Sequence, residues 1–313
     1  MSRTTRRTIP PPFRAAPFLL LAGCVPQAAA PDPSPPPVST RAQEVVQPVP
    51  APSPTPAEPV RRSLEFEGQL EQGGWIRGQV PSNTTSAMLG DTPIAFGEDG
   101  RFFAAFDRDE GVTVRLSALL ASGATVAREL TIAPRDWNIE RVNVARRAGG
   151  ASESFMARRR PELEAIYSAR AVETGSQGWR QDFLWPATGR ISGRFGSQRI
   201  YRGGEAGSYH SGIDIATGSS GTPFVAPADG VVVLAVTDFS LEGQLLIIDH
   251  GQGLNSAFLH ASRLLVSKGD RVRQGQHIGD IGASGRATGP HLHWSLMWRD
   301  KRLDPLLFTG PMP

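Results

Sequence analysis

The feature that most limits this chain is its glycine punctuation. The sequence holds 34 glycines in 313 residues. From about residue 183 they break it into strand-length apolar runs: "TPFVAPADGVVVLAV", "QLLIIDHGQGLNSAFLHAS", "KGDRVRQGQHIGDIG" and "GPHLHWSLMW". Such spacing favours strands and turns over long amphipathic helices. With no βαβ rhythm and no phosphate-binding loop, residues 183–313 are expected to form a compact, largely antiparallel β-sheet domain. Residues 63–146 read the same way. "LEFEGQL" alternates strictly, "WIRGQV" and "RFFAAF" are strand-length, and "VTVRLSAL" and "ATVARELTI" flank "ASG" like a hairpin. They are expected to form a small immunoglobulin-like accessory sandwich, so the fold class is mainly β. Residues 150–180 carry the helical stretch "SFMARRRPELEAIYSARAVE", with Leu163, Ile166 and Tyr167 at helical spacing. Its arginines are expected on a solvated face.

The N-terminal part is different. Residues 24–62 hold 12 of the 27 prolines, a composition that cannot bury a core and reads as an extended linker. Residues 1–23 have a basic start, a short apolar stretch and small residues, the pattern of a secretion signal. They carry four arginines and no acid; without them the formal charge falls from +3 to −1. That removes the electrostatic case for a nucleic-acid partner. Cys24 is the only cysteine, so no internal disulfide forms. "LAGC", ending at Cys24, resembles a bacterial lipoprotein box. The resemblance implies cleavage before Cys24, acylation of its thiol and a membrane anchor. Val25, rather than an aspartate, then points to the outer membrane, with the folded body in the periplasm.

Candidate chemistry lies in "GPHLHWSLMW". Successive strand residues face opposite sides. His291, His293, Ser295 and Met297 therefore share one face, and Leu292, Trp294, Leu296 and Trp298 form the core face. The two imidazoles point together, roughly 7 Å apart, which lets one bind a metal while its neighbour reaches a nearby water. Upstream, "SYHSGIDIA" places His210, Gly212 and Asp214 on one strand face. A fully extended strand would separate 210 and 214 too far for one ion, but Gly212 permits a bend and leaves room. Two histidines and an aspartate make the open, three-ligand set of a catalytic zinc rather than a closed structural site. His250, before Gly251, reads as a turn residue, and His277 as a residue facing solvent or a sheet edge.

These residues resemble the LytM/lysostaphin-type zinc endopeptidases of bacterial cell walls. The likeness spans roughly 184–308 and rests on "LWPATGRISGRFGSQR", "HSGIDIA", "GTPFVAPADGVV", "FLHAS", "GDRVRQGQHIGDIGASGRATGPHLHW" and "LDPLLF". It implies one Zn2+ per chain on His210, Asp214 and His293. It implies His291 as the general base and His260 as a hydrogen-bonding residue that polarises the transition state. The implied substrate is the peptide crosslinks of peptidoglycan, with residues 63–146 as a surface for envelope proteins. Phe258 departs from a position where relatives often carry tyrosine, and either Tyr201 or Tyr209 could serve as an assisting tyrosine. Two other functions compete. A scaffold of this fold could activate cell-wall amidases without catalysis of its own, although the intact histidines argue against it. A lipoyl- or biotinyl-type carrier needs a lysine at a hairpin tip, and neither Lys268 nor Lys301 sits in a suitable motif.

Overall fold

The computed structural model describes residues 60–146 and 151–313. The signal-like segment, Cys24 and the proline-rich residues up to 59 lie outside them. Among the described residues no helix is long and apolar enough to cross a membrane.

Seven strands open the described chain: β1 (Glu65–Gly68), β2 (Trp75–Gln79), β3 (Thr84–Leu89), β4 (Thr92–Ile94), β5 (Arg101–Ala105), β6 (Thr113–Leu120) and β7 (Thr125–Thr131). They form two antiparallel sheets, in the orders β1-β2-β5 and β4-β3-β6-β7. This distribution is that of an immunoglobulin-like sandwich. Strand β5 breaks the expected alternation, because Phe102, Phe103, Ala104 and Ala105 are all fully buried. The reason is that both faces of the strand are covered. Phe103 leaves the sandwich and meets Trp298 edge-on at 6.4 Å and Phe308 at 6.3 Å, both from the C-terminal part.

The C-terminal part contains β8 (Ile139–Arg141), helix α1 (Glu153–Arg170), β9 (Arg190–Gly193), β10 (Gln198–Ile200) and β11 (Ile213–Ala216). It continues through β12 (Pro223–Val225), β13 (Gly230–Phe239), β14 (Gly243–Gly251), β15 (Leu254–Leu264) and β16 (Arg271–Val272). Strands β17 (His277–Ile281), β18 (Leu292–Trp298) and β19 (Lys301–Leu303) complete it. The main sheet runs β16-β13-β14-β15-β18-β11-β9. Strand β17 joins β15 and β12, β19 joins β18, and every pairing is antiparallel. Strands β8 and β10 pair separately and in parallel. The sandwich and the large sheet share one continuous apolar core. Polar ties reinforce it: Trp75 Nε1–H donates to the Leu307 carbonyl at 2.8 Å, and Arg135 pairs with Asp304 at 2.9 Å.

The other face of the sheet is covered in part by α1. Ser152 caps its start by accepting the Phe155 N–H at 3.2 Å. Ile166 and Ala169 then pack on Val233, Leu245, Ile247 and Ala257. The expectation of a solvated arginine face holds only for Arg158 and Arg160. Arg159 is buried, clamped by two 2.6 Å bonds to Glu242 and one of 2.9 Å to Glu162. Arg170 turns inward to Asn255 at 2.7 Å. Positions 159, 162, 166 and 169 share one helical stripe, and that stripe lies on the sheet. The buried guanidinium of Arg159 is tolerated because carboxylates surround it.

Candidate metal centre

Strand pairing assembles the centre. Asp214 on β11 sits directly opposite His293 on β18. Their side chains leave the same face, and His293 Nδ1 lies 2.9 Å from Asp214 Oδ1. His210 is not on the strand, which begins only at Ile213. It belongs to the preceding loop, held there because its N–H donates to Ser197 O at 2.8 Å and its carbonyl accepts from Gly196 at 2.9 Å. From that loop His210 Nε2 comes within 3.1 Å of both Asp214 Oδ1 and His293 Nδ1. The bend expected near Gly212 is therefore a loop-to-strand transition. The room beside Gly212 is also needed, since a Cβ there would sit 2.4 Å from Trp294 O and 2.9 Å from His293 Nε2.

Three donor atoms thus form a near-equilateral triangle. Ligand atoms of a tetrahedral zinc with ~2.0–2.1 Å bonds stand about 3.3 Å apart, so the triangle fits such an ion after minor expansion. His210 Nδ1 faces the Arg194 carbonyl at 3.2 Å. A carbonyl only accepts, so Nδ1 carries the proton and Nε2 keeps its lone pair toward the centre. Burial opposes the ionised form of Asp214, but bonds to His210 and His293 outweigh it and hold the carboxyl well below the usual range. His210 likewise loses from burial and gains more from Asp214, so it titrates above its usual value. His293 moves the other way, because burial prevails over its bond to Asp214.

Two further histidines line the same 390 Å³ cavity. His291 Nδ1 is fixed by the Gly289 carbonyl at 2.8 Å, and its Nε2 stands 3.7 Å from Asp214 Oδ1. That gap is too long for a hydrogen bond and leaves Nε2 available as an acceptor. His260 reaches the cavity by a route that alternation misses. Leu259 is the residue paired with His293, so regular pleating would turn His260 toward the core. Between the pairs Leu246↔Phe258 and Gln244↔Ala261, β15 carries one extra residue. This bulge puts His260 at φ 66° and re-aims its ring to 4.9 Å from that of His291, centroid to centroid. Its Nδ1 is tied to Ser284 O at 2.9 Å, and burial pulls its pKa down to about 4.

The structure brings His210, Asp214, His260, His291 and His293 together. Cys24 lies outside the described residues. Phe258 faces the core, stacked on Phe224 at 5.4 Å, so no side chain from 258 reaches the cavity. Tyr209 lines the cavity under the guanidinium of Arg108, and burial pushes its phenol up to about 12. Tyr201 lines an adjoining groove of 780 Å³. His277 is exposed on β17 and bonded to Asp280 at 2.8 Å. His250 is not a turn residue. It is fully buried in β14, with Nδ1 at 2.7 Å from Asp229 O and Nε2 at 2.8 Å from Ser256 Oγ. Gly193, whose Cβ would lie 2.3 Å from Asp214 Oδ2, escaped the sequence reading. Its signal was the glycine in "RISGRFG", which has meaning only once β9 is known to pair with β11.

Residues 208–305 match the family model described as Peptidase family M23. Among curated relatives, the peptidoglycan DD-endopeptidase ShyA of Vibrio cholerae is 37% identical over 142 residues, covering 45% of this chain and 32% of that protein. The lipoprotein NlpD/LppB homolog of Pseudomonas aeruginosa is 38% identical over 131 residues, covering 42% of this chain and 39% of that protein. The match thus spans well under half the length of either relative. A solved structure described as a putative peptidase M23 from Pseudomonas aeruginosa superposes with a TM-score of 0.57 at 25% identity, over 78% of this chain and 96% of that one.

Proposed function

Because the chain carries a peptidase family M23 domain over residues 208–305, we propose that it is a zinc-dependent endopeptidase hydrolysing the peptide crosslinks of bacterial peptidoglycan. The observation that carries this reading is the triangle of His210 Nε2, Asp214 Oδ1 and His293 Nδ1 with His291 Nε2 aimed at it. In this reading those three residues hold the zinc. When bound, the ion lowers the pKa of a water toward ~7 and polarises the scissile carbonyl. His291, its Nδ1–H committed to Gly289 O, takes the proton of the attacking water at Nε2. His260, its Nδ1–H committed to Ser284 O, takes a second proton at Nε2 from solvent and in that imidazolium form donates to the developing oxyanion. The peptidoglycan substrate is supported by the name of the relative ShyA.

The reading includes a cell-envelope location, with Cys24 acylated and the outer membrane as the anchoring surface. The lipoprotein name of one relative supports it. The catalytic part is taken as 183–313 and the sandwich 63–146 as the surface for envelope partners. Other relatives are named murein hydrolase activator NlpD, so the second reading is an activator of cell-wall amidases without its own catalysis. One experiment tests both. Zinc-loaded protein is incubated with purified peptidoglycan, with and without an added amidase, and the fragments are separated. Conversion of crosslinked to uncrosslinked fragments by the protein alone is expected. No conversion alone, but stimulation of the amidase, would replace the first reading with the second.

A further inference from the structure

We propose that Arg286 is the specificity-determining residue of the cleft, and that it selects peptides with a free carboxylate beside the scissile bond. This deepens the endopeptidase reading and rests on it for the word scissile.

The 390 Å³ cavity over the metal centre and the 780 Å³ groove beside it share Tyr209, His210, Asp214, Arg286 and Thr288. Arg286 therefore stands where a peptide running from groove to cavity must pass. Among the described residues the arginines lining the two volumes are Arg146, Arg199 and Arg286. Arg146 is neutralised by Glu205 and Arg199 by Glu140, each at 2.7 Å. The lining acid Glu242 is taken up by Arg159. Among the described residues the guanidinium of Arg286 has no hydrogen bond and no ion pair.

Its backbone, in contrast, is held firmly. The Arg286 N–H donates to Leu241 O at 2.9 Å. Ser284 Oγ donates to Ala261 O at 2.8 Å and accepts the Gln244 N–H at 2.9 Å. Gly243 and Gly285, both at positive φ, let the two turns touch; a Cβ on Gly285 would lie 2.4 Å from Gly243 N. The main chain at Arg286 is fixed and its side chain is exposed, so no internal bond has to break when an anion arrives and only rotamer freedom is lost. A guanidinium binds a carboxylate in a two-pronged, charge-assisted pair.

The test uses two synthetic crosslinked peptides that differ only in a free carboxylate or a carboxamide next to the crosslinking bond. Binding to the zinc-loaded full chain is measured by calorimetry in the cold, and cleavage is followed separately. Wild type is expected to prefer the carboxylate peptide about 10- to 100-fold, with the preference shrinking in added salt. Arg286→Ala should bind both peptides equally with its zinc content unchanged, and Arg286→Lys should keep part of the preference. Equal binding of the two peptides by wild type, or a preference surviving in Arg286→Ala, overturns the proposal. Discrimination in binding with no cleavage of either peptide would instead overturn the endopeptidase reading and leave carboxylate recognition standing.

Discussion

Strand β18 has two faces that do different work. Leu292, Trp294, Leu296 and Trp298 point into the shared core and are at most 1% exposed. His293, Ser295 and Met297 point the other way, toward the metal centre and the underside of α1. The first face stabilises the fold through apolar area removed from water and close packing. The second gathers polar atoms that find their partners in one another rather than in a packed interior. Imidazole nitrogens and a carboxylate oxygen 2.9–3.1 Å apart need a shared proton or a shared cation. One strand thus separates stability from chemistry by side-chain parity, and substitutions on the two faces should move different observables.

The largest effect belongs to the polar face. His293→Ala is expected to lose bound zinc and all peptidoglycan cleavage, while His291→Ala keeps zinc and loses about 10²–10⁴-fold in turnover. Zinc content and cleavage measured side by side check this. An empty site in His291→Ala with zinc retained in His293→Ala would reverse the two roles. His291→Ala should leave the thermal midpoint of the metal-free protein nearly unchanged, whereas His293→Ala should lower it at neutral pH by removing a bond that stabilises the Asp214 carboxylate.

The apolar face should respond in the opposite way. Trp294→Ala is expected to cost about 3–5 kcal/mol of stability, read as a fall in the denaturant midpoint. A midpoint close to wild type would mean that the two faces are not divided as described. Gly212→Ala tests the seam between them, because its Cβ would press on Trp294 O and His293 Nε2 at once. Both the midpoint and zinc affinity should fall, the affinity by about 10–100-fold. A loss of stability with unchanged zinc affinity would show that the centre tolerates movement of β11.

The effect confined to low pH concerns the one histidine on the core side. Burial lowers the pKa of His250 from 6.5 to about 4, so its folded state favours the neutral ring. The unfolded chain binds the proton first, so the stabilisation is complete above pH ~6.5 and declines as pH falls toward ~4, by up to about 3 kcal/mol. His260 shifts in the same direction and adds to the slope. Chemical denaturation across that window should show His250→Gln with a flatter pH dependence than wild type. An identical slope would mean that His250 ionises without cost.

Much of this division was legible in the residues. Period-two alternation along "HLHWSLMW" separates the histidine face from the tryptophan face, because side-chain parity is a property of the strand alone. The glycine punctuation announces a β fold for the same reason: it reflects local backbone freedom. Other features depended on partners far away in the chain. His260 points into the cavity only because β15 gains a residue against β14, and a bulge exists only between two strands. His250 looked like a turn residue and is buried, because Asp229 and Ser256 arrive to satisfy both its nitrogens. Arg159 looked solvated and is buried, because Glu242 comes from a hairpin 83 residues away. Parity and turn chemistry are local, whereas register, bulges and the pairing of buried charges are set by which segments meet, and that only the tertiary structure decided.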